Sequence, residues 1–242
     1  MKNGRGKDSG MGDTAKSYLK KYFRELKYQR HEEVSTKQME RGKESEENGI
    51  SLLSLHTKTF YRKCTEKLEN DFFTGHPDLV KGNNIQITEE GVDIKCSWNL
   101  FTLPFLSDGL DDSYYYQNLT YCDLTGAKKW STVYTLVNLS ASQLDDEKRR
   151  WSYRIGGLDP ENNPEYIKKC IELERLFIVD MAKFQEDYPY YDLATDINTW
   201  EFDIPRAERI VTFETMRDDV EIERMKARVL EARIWIKQNL MK

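Results

Sequence analysis

Between Gly75 and Trp98 the chain reads GHPDLVKGNNIQITEEGVDIKCSW, and its last part alternates. Val92 and Ile94 are apolar β-formers, with Asp93 and Lys95 set between and after them. In a strand, successive side chains face opposite ways. The pattern therefore sends Val92 and Ile94 into a core and puts a carboxylate and an ammonium together on the other face. One strand earlier, Asp78 stands behind Pro77, so Asp78 comes beside Asp93 where the strands meet. Two neighbouring carboxylates repel unless a divalent cation bridges them. Lys95 would then stand near that cation and near any anion it holds. A plain solvated strand shows the same alternation, so the flanking elements decide the matter.

Those elements predict a mixed chain. Tyr18 to Tyr28 has a helical apolar stripe, and Ser35 or Thr36 can cap a long helix running to about Leu68. Strands are expected over Phe72–Val80, Ile85–Thr88 and Val92–Ser97, with turns at Lys81–Asn84 and Glu89–Gly91. A helix over Ser113–Leu124 and a strand over Trp130–Asn138 follow. Helices over Ser140–Arg154 and from Pro164 to about Asp187, a late strand over Arg209–Phe213 and a closing helix over Asp218–Leu240 complete the chain. This order suits an α/β or α+β fold.

At 242 residues, with 38% hydrophobic and 12% aromatic content, the chain can bury a real core. The expected organisation is a disordered basic tail over 1–14 and one domain over 15–242, with its core at about 34–138. The net charge of -5 argues against a simple nucleic-acid coat. Yet Met1 to Arg30 holds nine Lys/Arg against three acids. That arm suits either phosphate contacts or plain solvation. The four cysteines lack metal-site spacing. No signal peptide opens the chain, and no apolar run nears the roughly 20 residues needed to span a bilayer. No membrane contact and a cytoplasmic location are expected. No Gly-rich phosphate loop appears, so ATP is not implied.

Pro77-Asp78 followed fifteen residues later by Asp93-Ile94-Lys95 resembles the signature of the PD-(D/E)xK nuclease superfamily. Upstream, MERGKESEENG (Met39–Gly49) is similar to the M-x-x-G-x-x-x-E-x-x-(A/G) helix of lambda-type and YqaJ-type phage recombination exonucleases. Downstream, Gln117 and Tyr121 in YYYQNLTYCDLTG resemble the Q-x-x-x-Y motif of the RecB-like and YqaJ-like branches. The segment from Cys96-Ser97-Trp98 to Phe105 also looks like the one following D-x-K in these nucleases. The CRISPR-adaptation branch usually carries a cysteine cluster, which this chain lacks.

The resemblance implies a restriction-endonuclease-like core, a central mixed β-sheet flanked by helices, with extra helices at the C-terminal side. It implies a Mg²⁺-dependent deoxyribonuclease, with Mn²⁺ as a substitute, that resects linear duplex ends for phage-type recombination or repair. If the chain is phage-encoded, the compartment is the bacterial host cytoplasm. The implied metal ligands are Asp78, Asp93, the Ile94 backbone carbonyl and Glu46, with Glu44 and Glu47 as rivals to Glu46 because relatives often carry an aromatic where Lys43-Glu44-Ser45 stands. Lys95 would activate water or stabilise the transition state. Gln117 and Tyr121 would touch substrate. His76 and Lys129 are further substrate-binding candidates; for His76 a strand-edge polar role, and for Lys128-Lys129-Trp130 a solvated turn, fit as well. A single-strand annealing protein and a homo-oligomer, a trimer by analogy, are the implied partners. A structure-specific or restriction-like endonuclease of the same fold, or a non-catalytic DNA-binding protein on a degenerate nuclease fold, are the rival expectations.

Overall fold

Capping decides where the helices begin and end. In the computed structural model, which describes residues 11–32, 36–81, 88–156 and 162–241, α1 spans Asp13–Tyr28 and α2 spans Lys37–Thr57. The Thr36 hydroxyl accepts the Met39 N–H at 3.2 Å and starts α2. Lys58 ends it in the left-handed region at φ 53. The helix expected to reach Leu68 therefore stops well short, and the chain turns into β1 (Tyr61–Lys63) and β2 (Leu68–Glu69). The tail expected over 1–14 falls outside the described residues up to 10, and its last two residues already belong to α1.

The strand expected over Phe72–Val80 is two strands. β3 (Thr74–Gly75) pairs with β2, and β4 (Leu79–Lys81) joins the main sheet. The break falls at His76-Pro77-Asp78, where proline offers no N–H to a ladder. The turn at 82–84 and nearly all of the strand expected over Ile85–Thr88 lie outside the described residues. The turn expected at Glu89–Gly91 is instead partly strand, since β5 runs Glu90–Cys96. Gly91 lets β5 pass flat beneath Trp130, because a Cβ there would lie 2.2 Å from the indole.

Helix α3 (Asp112–Thr125) connects β5 to its parallel neighbour β6 (Lys129–Thr135). Asp111 caps its start and Gly126, at φ 76, closes its end. The sheet order is β1-β4-β5-β6-β7, with β7 at Ile210–Met216, and among the described residues only the β5/β6 pair is parallel. This is the mixed sheet flanked by helices that the motifs imply.

The helices cover both sheet faces. On one, Leu53 of α2 packs with Leu79, Val92, Ile94 and Val133. On the other, Tyr121 and Cys122 of α3 pack with Val80, Ala127 and Trp130. Asp93 therefore points into a covered face and not to solvent, and only 1% of it is exposed.

Between β6 and β7 lie α4 (Ala141–Trp151), α5 (Pro164–Phe177) and α6 (Met181–Asp187). The single helix expected from Pro164 to Asp187 breaks at Ile178–Asp180. There the Asn138 side-chain oxygen accepts the N–H groups of Val179 and Asp180 at 2.9 and 3.0 Å, and Asp180 caps α6. Leu139, Leu144, Leu173, Phe177 and Phe184 form a core among these helices. It meets the end of β5 through an edge contact of Trp98 with Phe177, centroids 5.7 Å apart. Helix α7 (Asp219–Asn239) closes the chain, capped by Asp218.

Candidate active site

The register of β4 and β5 sets two carboxylates side by side. Leu79 pairs with Val92, so one antiparallel step further places Asp78 opposite Asp93. Asp78 lies just before the strand, and its Oδ2 accepts the Ile94 N–H at 2.8 Å. The Lys95 ammonium forms an ion pair with Asp93 and lies 5.2 Å from the centre of the Tyr114 ring.

Burial and the neighbouring Asp93 push the Asp78 carboxyl well above the usual carboxylate range, against the pull of the Ile94 N–H and Lys95. Burial of Lys95 disfavours its charge, but Asp93 overcomes this and holds the ammonium protonated, with a net upward shift. Among the described residues, Asp93 Oδ2 is sealed from solvent without a well-aligned hydrogen-bond donor, and the Lys95 ammonium stands beside it. A buried carboxylate ion-paired with Lys95, beside a second carboxyl that burial and the like charge of its neighbour hold back from ionising, is a set of hard oxygen donors that suits a divalent cation. Three acidic, histidine or cysteine side chains do not converge at ligand distance among the described residues.

Helix α2 supplies the opposite wall. Arg41, Ser45 and Gly49 recur every four residues on its buried face. Gly49 is where the helix touches the sheet, since a Cβ there would lie 2.7 Å from Thr135 Oγ1 and 3.1 Å from Cys96 Sγ. Glu46, one residue past Ser45, lines a cleft of about 570 Å³ together with Asp78, Ile94, Lys95, Tyr114 and Tyr134. Its carboxylate is bound to Lys63 at 2.7 Å. Its rivals point elsewhere: Glu44 accepts from the Ser140 hydroxyl at 3.1 Å, and Glu47 is exposed on Lys63.

Gln117 and Tyr121 share the face of α3 that meets the site. The Gln117 amide donates to the Tyr121 oxygen at 3.0 Å and reaches Asp93 Oδ1 at 3.5 Å. The Tyr121 hydroxyl donates to the His76 carbonyl at 3.0 Å. His76 thus contributes its backbone, while its side chain is exposed. Lys129 is not brought to the site. It pairs with Glu214 at 2.7 Å and lies opposite Glu90, five positions before Tyr134, the partner of Lys95. At ~3.3 Å per residue that is about 16 Å along the sheet.

Trp98, from the Cys96-Ser97-Trp98 segment after the lysine, also lines the cleft, as do Arg41 and Tyr134, which are not fixed positions of any motif. Arg41 is 1% exposed and donates to the carbonyls of Ser97 and Val137, tying α2 to the ends of both central strands. Burial lowers its pKa to about 10. Its place beside Gly42, four before the buried Ser45, is the only sequence signal for it.

A solved phage-related exonuclease from Haemophilus somnus is similar to this chain, with a TM-score of 0.66 and 21% identity, over 98% of this chain and 89% of its own. The chain has the fold of that exonuclease. The alkaline exonuclease of Laribacter hongkongensis is similar at a TM-score of 0.56 and 12% identity, over 94% of this chain and 81% of its own. The structure of that enzyme in complex with dAMP matches at 0.55 and 13%, over 92% and 80%. No protein-family model and no curated protein matches the chain. Among the described residues no helix is long and apolar enough to cross a membrane.

Proposed function

We propose that this chain is a divalent-cation-dependent deoxyribonuclease that removes nucleotides from the ends of linear duplex DNA. The observation that carries the reading is the Asp78–Asp93 pair with Lys95 beside it, set at the edge of a cleft in a fold shared with two exonucleases. Asp78, Asp93 and the Ile94 carbonyl would hold the cation, and Glu46 would add a third carboxylate from across the cleft. When bound, Mg²⁺ or Mn²⁺ supplies charge neutralisation at the phosphate and acidifies water.

The chain's own groups do the rest. Lys95 keeps its proton beside Asp93 and can donate to a phosphate oxygen or orient a water. Tyr114, packed against Lys95 and edge-on to Tyr134, fixes the direction of the ammonium. Gln117 and Tyr121 tie α3 to the His76-Pro77-Asp78 segment and so hold the acidic pair in register.

The test is digestion of 5′-phosphorylated linear duplex and covalently closed circles with Mg²⁺, Mn²⁺ or EDTA. Loss of the linear form alone, abolished by EDTA and by Lys95→Ala, is the expected result. Cleavage of circles would move the chain to the endonucleases. Intact DNA in every arm, with binding retained, would leave a DNA-binding protein.

A further inference from the structure

Lys63 holds the third carboxylate of the site. It lies at the end of β1, in register with Leu79 of β4, one residue from Asp78. The next residue, Cys64, donates its N–H to the Asp78 carbonyl at 2.8 Å. The pairing that fixes Asp78 thus also fixes the root of Lys63. From there its ammonium contacts Glu46 at 2.7 Å and Glu47 at 2.5 Å. The two glutamates hold the Lys63 proton more firmly than in free lysine, Glu46 contributing most.

Glu46 therefore lines the cleft with its charge already engaged, and among the described residues three ligand side chains do not converge. We propose that Lys63 is a positioning residue that competes with the divalent cation for Glu46. This rests on the nuclease reading above. A cation binding through Glu46 works against the Lys63 charge, and taking the oxygen that Lys63 holds requires the carboxylate to leave it. Glu47 keeps the ammonium when it does, so the exchange breaks one of two ion pairs and leaves no bare charge. The pairing lowers cation affinity, and in exchange it keeps Glu46 from adding a third negative charge to Asp78 and Asp93 while the cation is absent.

The test measures cation binding without DNA, as the rise in melting temperature of the full chain over a MgCl₂ titration at pH 7.5. Lys63→Met keeps the aliphatic stem and removes the charge. The Mg²⁺ concentration at half effect should fall about two- to fivefold, the scale of a partly exposed ion pair. Removing a cation near the site also lowers repulsion directly, so the same substitution is made on Glu46→Gln. There Lys63→Met should leave the midpoint within about 1.5-fold, because the competition has no object. An unchanged or higher midpoint in Lys63→Met, or an equal fall in both backgrounds, overturns the proposal while leaving the nuclease reading in place. A Mg²⁺ shift that appears only in Lys63→Met supports it strongly. No shift in either protein removes the cation site and this role together.

Discussion

Asp78 Oδ2 accepts the backbone N–H of Ile94 at 2.8 Å, so the carboxylate before one strand is locked to the strand that carries Asp93 and Lys95. The acidic pair is held by main-chain pairing and not by long side chains reaching from loops. Little reorganisation is left for the moment a phosphate arrives.

Removing either member of the constellation should cost activity without costing the fold. Asp93→Asn and Lys95→Ala should each lower the rate of linear-duplex degradation about a thousandfold or more, the scale of losing a few kcal/mol of transition-state stabilisation. Circular dichroism should stay near that of the parent, while Lys95→Ala, which leaves the buried Asp93 carboxylate unpaired, should melt at a lower temperature. A drop under about tenfold in either variant would place the chemistry elsewhere.

The raised Asp78 pKa has a signed consequence for stability. The unfolded carboxyl releases its proton near 3.8, the folded one near 7. Between these values the native state holds a proton that the unfolded chain has lost, so this group's contribution falls as pH rises. It is fully present below about 4 and lost above about 7. Comparison with Asp78→Asn, which keeps an acceptor for Ile94, isolates it. The metal-free parent should lose stability relative to the variant from pH 4 to 7 and run parallel above. Mg²⁺ stabilisation of the parent should grow over the same range, since the ligands must shed protons. A flat difference would show that burial and the neighbouring Asp93 do not raise the folded carboxyl above the unfolded one.

Gly49 sets how close α2 approaches the sheet. Gly49→Ala gains about 1 kcal/mol of helix propensity, but it puts a methyl 2.7 Å from Thr135 Oγ1. Overpacking of this kind costs ~1–3 kcal/mol, and net destabilisation in urea is the expected outcome. A double-mutant cycle with Thr135→Ala should show positive coupling, because the obstructing atom is gone. Additivity would mean that the helix simply slides.

Tyr121→Phe removes the hydroxyl that donates to the His76 carbonyl and accepts from Gln117. The expected cost is about 1 kcal/mol in stability, with a several-fold fall in kcat and little change in KM, because the substitution loosens Asp78 without touching DNA charge. A change confined to KM would make Tyr121 a substrate contact.

The central strand β5 and its acidic pair were legible because period-two alternation is local: Asp93 and Lys95 declare their shared face in four residues, whereas the short β1 lay hidden in an expected helix. The Gln117–Tyr121 pair was legible for the same reason at helical spacing. What the sequence hid depends on distant partners. Arg41 matters through the carbonyls of Ser97 and Val137, far along the chain. The break between α5 and α6 is made by Asn138, whose side chain takes two N–H groups that no local pattern marks. A basic-aromatic cluster reads the same at either end of a strand, and only the register shows that Lys129 lies at the end away from the acidic pair.

The segment from Leu136 to Arg209 leaves and rejoins the sheet at one point. Thr135 pairs with Ile210, and the Leu136 N–H donates to the Arg209 carbonyl at 2.8 Å. Helices α4, α5 and α6 thus belong to an insertion whose main chain is rooted in the sheet at that seam, with side-chain contacts to the end of β5 and to α2. Lengthening or replacing such an insertion adds little closure entropy, because the cost grows only with the logarithm of its length. The acidic pair lies on the other side of β6, so descendants of this chain are free to rebuild what surrounds the incoming strand while the chemistry stays where it is.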